Sequence, residues 1–399
     1  MRKPILRIPY TDILPPPLII PASASTLAGA VAALRTFFAA PTPEHLPSPK
    51  TVVLTGAGLS VASGLADYRG VKGTYRVNKT YRPIYYHEFL SNHEARKRYW
   101  ARSFLGWSSL HKAAPNPGHF AVRDLANLGL VQSVITQNVD SFHSKAHPRV
   151  PTLELHGYLR STVCTTCRSE FSRDEFQAEL ARLNPRWAAL LQEAIESGAL
   201  DRGETDEAKF KGLRSNPDGD VDLPDAPYTT FRYPPCPKCL DRPPVGPDGL
   251  KHNVRVDGEG AWKLPSTAGI LKPAVVMFGE NIASHVKNNA EKAVDQAGKL
   301  LVLGTSLATY SAWRIAKRAK DRGMPIAIIN MGGVRGEEQF FTDLDPSQQG
   351  DRAVRTGLST DEILPLLVSE LRQTMADNSP ISSTAGPLEN SGVFKEMLS

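Results

Sequence analysis

Residues 51–70 read TVVLTGAGLSVASGLADYRG, and this stretch limits the fold more than any other. Thr51 to Leu54 is an unbroken β-branched and apolar run, the pattern of a buried strand. It breaks at Gly56-Ala57-Gly58, and small residues lead on to Gly64. A buried strand that runs through Gly-x-Gly into a helix brings backbone N–H groups up to a pyrophosphate. The spacing is G-x-G-x5-G and not the dinucleotide fingerprint G-x-G-x-x-G, so on its own it specifies little. Asp67 and Arg69 close the stretch. They read either as a surface ion pair or as a flap that closes on a ligand.

The remaining chain supplies the context. Further buried-strand candidates are Ser133–Thr136, Ala274–Phe278, Lys299–Leu303 and Pro325–Ile329, and helical stretches include residues 25–40, Pro117–Leu128 and Ala312–Asp321. Short Val/Ile/Leu runs that alternate with helices predict an α/β fold, a Rossmann-like parallel sheet covered on both faces. Two regions break the rhythm. Residues 160–263 hold every cysteine of the chain, a predicted helix near Arg186–Glu196, and Asp/Gly/Pro-rich stretches around Arg202–Pro227 and Asp241–Lys263, which are expected to be mobile. The organisation expected is a disordered leader over 1–24, a catalytic domain formed by 25–159 and 264–375, an inserted module over 160–263, and a disordered tail over 376–399.

The four cysteines form two Cys-x-x-Cys pairs, Cys164/Cys167 and Cys236/Cys239. Each pair puts two thiolates on one tight turn, and two turns complete a tetrahedron for Zn²⁺. A closed four-thiolate site has no open position, so the metal is expected to hold a module together and to do no chemistry. The alternative is two redox or merely buried pairs. Net charge is only +6, and no basic stripe is interleaved with aromatics, so nucleic acid is not an expected partner. No apolar run approaches the roughly 18 residues of a membrane helix. Arg2, Lys3 and Arg7 with no acid before Asp12 are compatible with an organellar transit peptide, although Pro4, Pro9 and Pro15–Pro17 interrupt an amphipathic helix.

Polar residues cluster where strands end. Gln137, Asn138 and Asp140 follow a predicted strand, and in open α/β sheets ligands sit beyond the carboxyl ends of strands. Amides and a carboxylate suit a carboxamide and sugar hydroxyls, but Asn and Asp after a strand are equally common in turns. His156 is a candidate general base, one of 10 histidines. Gly304-Thr305-Ser306 and Asn330 also follow strands and fit either a ribose or phosphate contact or an ordinary turn.

In chain order, GAGLSVASGLADYRG (56–70), TQNVD (136–140), LHG (155–157), the two cysteine pairs, LKPAVVMFGE (271–280), VLGTSL (302–307) and IINMG (328–332) resemble the sirtuin family. The likeness spans residues 48–370 apart from the insert loops. RPIYYHEF (82–89), RYWARSFLGW (98–107) and PNPGHF (115–120) look like the mitochondrial class II branch, the one associated with ADP-ribosyl transfer and with removal of lipoyl-type acyl groups.

The resemblance implies an NAD-dependent protein-lysine deacylase, with one structural Zn²⁺ on Cys164, Cys167, Cys236 and Cys239. Gly56, Ala57, Gly58 and Ser60 would line the pyrophosphate, and Asp67, Tyr68, Arg69 and Tyr75 would form the flexible cofactor loop. Gln137, Asn138 and Asp140 would hold the nicotinamide and ribose end, with Asn138 and His156 catalytic. Gly304, Thr305, Ser306, Asn330, Met331 and Gly332 would hold the phosphate and adenosine end. Val276 to Glu280 would border an acyl-lysine protein substrate, and the products would be nicotinamide, free lysine and O-acyl-ADP-ribose. The same resemblance implies a mitochondrial matrix enzyme, with a monomer expected.

Two departures stand out. Ala66 occupies a position where the family usually has proline. Tyr75 is followed three places later by Asn78, so the Tyr-x-x-Arg pair of class II desuccinylases is missing. A dehydrogenase with a structural zinc and a non-catalytic zinc-ribbon scaffold are the alternatives. The dehydrogenase lacks the acidic residue that should close its first β-α-β unit.

Overall fold

The computed structural model describes residues 11–78, 81–200, 214–246, 249–342 and 344–377. The expectations for the first ten residues, for residues 202–213 of the insert and for the tail beyond Asp377 fall outside these.

A six-stranded parallel sheet organises the chain. From edge to edge its order is Ala353–Thr356, Ile326–Ile329, Lys299–Leu303, Thr51–Thr55, Val131–Thr136 and Thr152–Glu154. Successive side chains on a strand face opposite ways, and here both faces are buried. Val53, Leu301, Leu303, Ala327 and Ile329 meet the helices Leu27–Ala39, Pro117–Asn127 and Thr360–Asp377. Val52, Leu54, Leu300, Val302 and Ile328 meet the helices Ser284–Asp295 and Tyr310–Asp321. Two-sided burial is why these strands read as unbroken apolar runs. Lys299 is the exception inside one of them. Its ammonium donates to the carbonyls of Phe37 (2.6 Å), Phe38 (3.1 Å) and Ala40 (2.6 Å), where the first helix ends and its carbonyls lack partners.

The strand order fixes where a ligand can sit. From Thr51–Thr55 the chain builds outward one way through Val131–Thr136, and from Lys299–Leu303 it builds the other way. The neighbouring strands that diverge are paired Thr55 to Leu303. Loops leaving such a pair part above the sheet and open a crevice at the switch point. Gly56 and Gly304 are the first residues of those two loops.

One expected strand belongs elsewhere. Leu271–Val275, read from sequence as Ala274–Phe278 in the parallel sheet, is an edge strand of a separate three-stranded sheet. It runs antiparallel to Gly157–Cys164, which pairs in turn with Glu170–Ser172. Pro273 explains the edge position, since it has no N–H to give a second neighbour. The helices His93–Lys112, Arg173–Leu183 and Pro185–Glu196 pack with this sheet around Trp100, Trp187, Phe231 and Trp262.

Other boundaries shift for local reasons. The stretch after Gly56 is a 3-10 helix, Ala57–Ser63, ended by Gly64 at φ +79. The helix expected over 25–40 runs from Leu27 to Ala39, and its first turn is capped by the Thr26 hydroxyl, which accepts from the Gly29 N–H at 3.2 Å. Within the leader, residues 11–24 do not stand apart from the fold. Ile20 bridges to Arg355 (N to O, 2.9 Å), and the Leu18 N–H donates to Glu337.

Candidate functional site

The crevice at the switch point is the mouth of a cavity of about 1680 Å³. Its lining unites every cleft residue singled out from sequence except Gly56, which lies behind Ala57 and Gly58. The two glycine loops touch backbone to backbone. The Gly58 N–H donates to the Gly304 carbonyl at 2.8 Å, and a Cβ on Gly304 would stand 2.3 Å from the Leu59 nitrogen, at φ +58. Side chains there would fill the cradle and push the loops apart, so the glycines serve the close approach of the loops before any ligand arrives.

The polar residues after Val131–Thr136 are locked to that cradle. Asn138 Nδ2 donates to the Gly56 carbonyl and to Ser60 Oγ, both at 3.1 Å, which leaves its Oδ1 as an acceptor. Ser60 in turn donates to Asp140 at 2.7 Å, and the other Asp140 oxygen accepts from the Phe142 N–H at 2.9 Å. Burial raises the Asp140 carboxyl above its usual range, opposed by those two bonds. Gln137 is a brace. Its amide donates to the Thr55 carbonyl (3.1 Å) and to Thr305 Oγ1 (2.9 Å), and its oxygen accepts from Thr309 (3.2 Å). Both Gln137 protons are therefore spent on joining the loops that follow three strands.

His156 stands at the end of Thr152–Glu154, where the chain turns through Gly157 into the second sheet. A Cβ at Gly157 would lie 2.1 Å from the Ala274 carbonyl, and φ there is +76, so the turn demands glycine. The Val276 N–H donates to the His156 carbonyl at 2.8 Å. The imidazole Nδ1 faces the Gln137 carbonyl at 3.1 Å. A carbonyl only accepts, so Nδ1 carries the proton and Nε2 presents a lone pair. Ser311 Oγ lies 2.9 Å from that Nε2. Burial lowers the imidazole to about 4, with the Gln137 bond opposing. At neutral pH His156 is thus an uncharged base with its acceptor atom aimed at a hydroxyl.

The Asp67–Tyr75 segment is a built flap. Asp67 Oδ1 accepts from the Gly70 N–H (2.9 Å), and the Thr74 N–H donates to the Asp67 carbonyl (2.9 Å). Arg69 lies over the Tyr75 ring at 5.0 Å, and Tyr75 stacks on Tyr68 at 5.5 Å. At the far end of the cavity Asn330 Nδ2 donates to the Gly332 carbonyl at 2.8 Å, and Met331 is 66% exposed.

The four cysteines lie apart from the cleft. Their sulfurs all fall within 4.8 Å of one another, with Cys164 to Cys239 and Cys167 to Cys236 each 3.6 Å. Disulfides need about 2.05 Å. Four thiolates at about 2.3 Å from a tetrahedral Zn²⁺ stand roughly 3.8 Å apart. The set fits one zinc ion.

Sequence reasoning missed Ser311 and Thr309, which look like ordinary residues at a helix start. It also missed Arg102, Asp218 and Asp220, which line the same cavity. The two aspartates sat in a stretch read only as a polar loop.

A cradle of two glycine loops at a parallel-sheet switch point, a neutral, half-buried histidine beside it and a four-thiolate module define a nucleotide-cleft α/β protein with a metal-held insert. The Sir2 family model matches residues 56–311. The chain is 37% identical, over 81% of its own length and 90% of the relative's, to an NAD-dependent protein deacylase of Batrachochytrium dendrobatidis. It is 36% identical over 73% of its length, and 68% of the relative's, to an NAD-dependent protein deacylase of Arabidopsis thaliana. It is 32% identical over 75% of its length, and 79% of the relative's, to the mitochondrial NAD-dependent protein lipoamidase sirtuin-4 of Bos taurus. A solved Sir2 enzyme covers 86% of this chain and 98% of its own at 23% identity and a TM-score of 0.51, a likeness of fold. The chain belongs to the Sir2 family.

Proposed function

We propose that this chain is an NAD-dependent protein-lysine deacylase, with His156 as its general base. The observation that carries the reading is the His156 tautomer: Nδ1 is tied to the Gln137 carbonyl, and the free lone pair on Nε2 is held against a hydroxyl in the cleft. NAD⁺ supplies a glycosidic bond whose cleavage releases nicotinamide and leaves an electrophilic ribose carbon.

This chain's residues do the rest. The cradle of Ala57, Gly58, Ser60 and Gly304–Ser306 holds the phosphates, Asn138 Oδ1 and Asp140 face the nicotinamide and ribose end, and Asn330–Gly332 border the adenosine. The acyl oxygen of the substrate lysine would take nicotinamide's place at the ribose carbon. His156 Nε2 takes a proton from a ribose hydroxyl, which attacks the acyl carbon, and with one water the C–N bond to lysine breaks to give free lysine and O-acyl-ADP-ribose. The acyl-lysine segment enters along Val276–Glu280, where an extended peptide gains main-chain hydrogen bonds.

The 32% identity to the bovine lipoamidase supports removal of lipoyl-type acyl groups, and ADP-ribosyl transfer as a second activity rests on the motifs at 82–89, 98–107 and 115–120. That relative and the basic residues Arg2, Lys3 and Arg7 support residence in mitochondria. The test is mass spectrometry of acyl-lysine peptides incubated with NAD⁺. O-acyl-ADP-ribose should form with wild type and be lost in His156→Ala. No such product from any chain length between acetyl and lipoyl would sink the reading.

A further inference from the structure

The insert between the cysteine pairs does not simply loop away. Its Asn216–Asp222 turn is pressed into one end of the catalytic cavity. The Gly219 carbonyl lies 2.1 Å from where a Cβ on Gly106 would stand, against the helix His93–Lys112. Tyr68 of the flap donates its hydroxyl proton to Asp218. Arg102 Nη2 lies 2.7 Å from Asp220 and its Nε 3.9 Å from Asp222. Tyr68, Arg102, Asp218 and Asp220 all line the cavity.

Which part of a substrate reaches this end follows from what occupies the others, and here the argument rests on the deacylase reading. The cofactor lies in the glycine cradle and runs toward Asn330. The peptide lies along Val276–Glu280, and its lysine must point at His156. The acyl group then continues past His156, between Leu65, Leu110 and Leu159, which pack on one another and line the cavity. Beyond that apolar throat stands the insert turn. A carboxylate-tipped acyl chain would meet two carboxylates there, and the guanidinium of Arg102 is already engaged by Asp220 and Asp222. Burial, with the Asp220 charge adding to it, raises the Asp218 carboxyl to about 6, so it is ionised in ordinary assay buffer. Among the described residues, the polar atoms buried at this end without a hydrogen-bond partner include Asp220 Oδ1, Asn216 Nδ2, the Nε and Nη2 of Arg102, which meet their carboxylates as ion pairs, and the hydroxyl of Tyr75, a residue only 5% exposed. A buried hydroxyl with no partner is open to a hydrogen-bonding group of a ligand.

We propose that the Asp218–Asp220 turn is the distal wall of the acyl pocket and restricts it to uncharged acyl groups. The experiment compares peptides bearing butyryl-lysine and succinyl-lysine, which have the same chain length and differ in the terminal carboxylate. Fluorescence anisotropy with the full chain and ADP-ribose, at about pH 8 and so above the Asp218 value, reads affinity, and turnover with NAD⁺ runs beside it. Butyryl should bind at least ~30-fold tighter than succinyl, given that like charges brought together cost several kcal/mol. In the double variant Asp218→Asn/Asp220→Asn, which removes the repulsion and leaves Arg102 only its longer pairing with Asp222, the succinyl peptide should gain at least ~10-fold. A gain of binding cannot come from a misfolded variant. Equal or better succinyl binding by wild type, an unchanged ratio in the variant, or binding of neither peptide would overturn the wall. A butyryl preference in binding with no turnover of either peptide would overturn the deacylase reading and leave the wall standing.

Discussion

Ser311→Ala should raise the pKa of His156, and the size of the rise follows from one hydrogen bond. The Gln137 carbonyl fixes the proton on Nδ1, so the 2.9 Å contact from Ser311 Oγ to Nε2 is one in which the hydroxyl donates to a lone pair. That lone pair exists only in the neutral ring. The bond therefore stabilises the neutral form alone and holds the pKa down. A net hydrogen bond is worth about 0.5–1.5 kcal/mol, and one pKa unit is about 1.36 kcal/mol, so losing it should move the titration up by roughly 0.4–1.1 units. Burial sets the starting value at about 4.

The assay is NMR of ring-labelled histidine, with His156→Ala to assign the resonance, and the pH dependence of kcat/KM beside it. The acid limb should rise in Ser311→Ala and return in Ser311→Thr, which restores a hydroxyl. A limb that stays fixed would mean that the hydroxyl gives its proton to Thr309 Oγ1, 3.4 Å away, and one that moves down would mean that Nε2 is the donor. Nδ1 and the Gln137 carbonyl would then confront each other as two acceptors, and the assignment of His156 as a ready base would fall.

Gly304→Ala should be poorly tolerated. The new Cβ would sit 2.3 Å from the Leu59 backbone nitrogen at a left-handed φ, for a loss on the order of 2–4 kcal/mol in stability; calorimetric titration should show NAD⁺ affinity falling with it, and a wild-type isotherm would count against the cradle. Stability should also depend on the buried histidines. Burial lowers His119 to about 3 and His143 well below its usual value. The folded state thus refuses protons that the unfolded chain accepts below about pH 6.5. Their contribution is intact above that pH and lost as pH falls toward the folded values, at about 1.4 kcal/mol per pH unit for each ring. Urea midpoints should drop between about pH 7.5 and 5.5 and drop less in His119→Gln; parallel slopes would refute the account. Stripping zinc with a strong chelator, or Cys236→Ser, should unfold the insert module and be visible in the near-ultraviolet dichroism of Trp187 and Trp262, which share its core; an unchanged spectrum would argue that the thiolates hold no metal.

The sequence made visible what depends on nearest neighbours. Thr51–Thr55 and Lys299–Leu303 are buried on both faces, and an unbroken apolar run announces that. Paired Cys-x-x-Cys turns announce a four-thiolate set. Ala274–Phe278 failed by the same logic, because an apolar run says that a strand is buried and nothing about which sheet it joins. Only Pro273, with its missing donor, hinted at an edge. The pairing of Thr55 with Leu303, which opens the crevice, joins residues far apart in the chain and leaves no local trace. Asp218 and Asp220 were hidden for another reason. In a stretch rich in Asp, Gly and Pro the default is solvated loop, and only the packing of that turn on Gly106 turns a polar sequence into the wall of a cavity.

One strand joins the two halves of the site. Gly157–Cys164 begins beside His156 and ends at a metal ligand, and at about 3.3 Å per residue its ends are some 23 Å apart. Its neighbour Leu271–Val275 pairs with it at both ends, Cys164 against Leu271 and Gly157 against Val275, with a shift of register between Pro273 and Val275, and the next residue, Val276, donates to the His156 carbonyl. The base is therefore held from two sides. The large sheet delivers the ring to Gln137, and the small sheet fixes its backbone through a ladder whose other end is stapled by thiolates. The glycine cradle depends on the large sheet alone, since both its loops leave adjacent strands there. A nucleotide can thus be held by one sheet, while the proton-accepting nitrogen is aimed only when both are intact. That division explains why a metal with no open coordination position, far from the cleft, belongs to the same machine as the base.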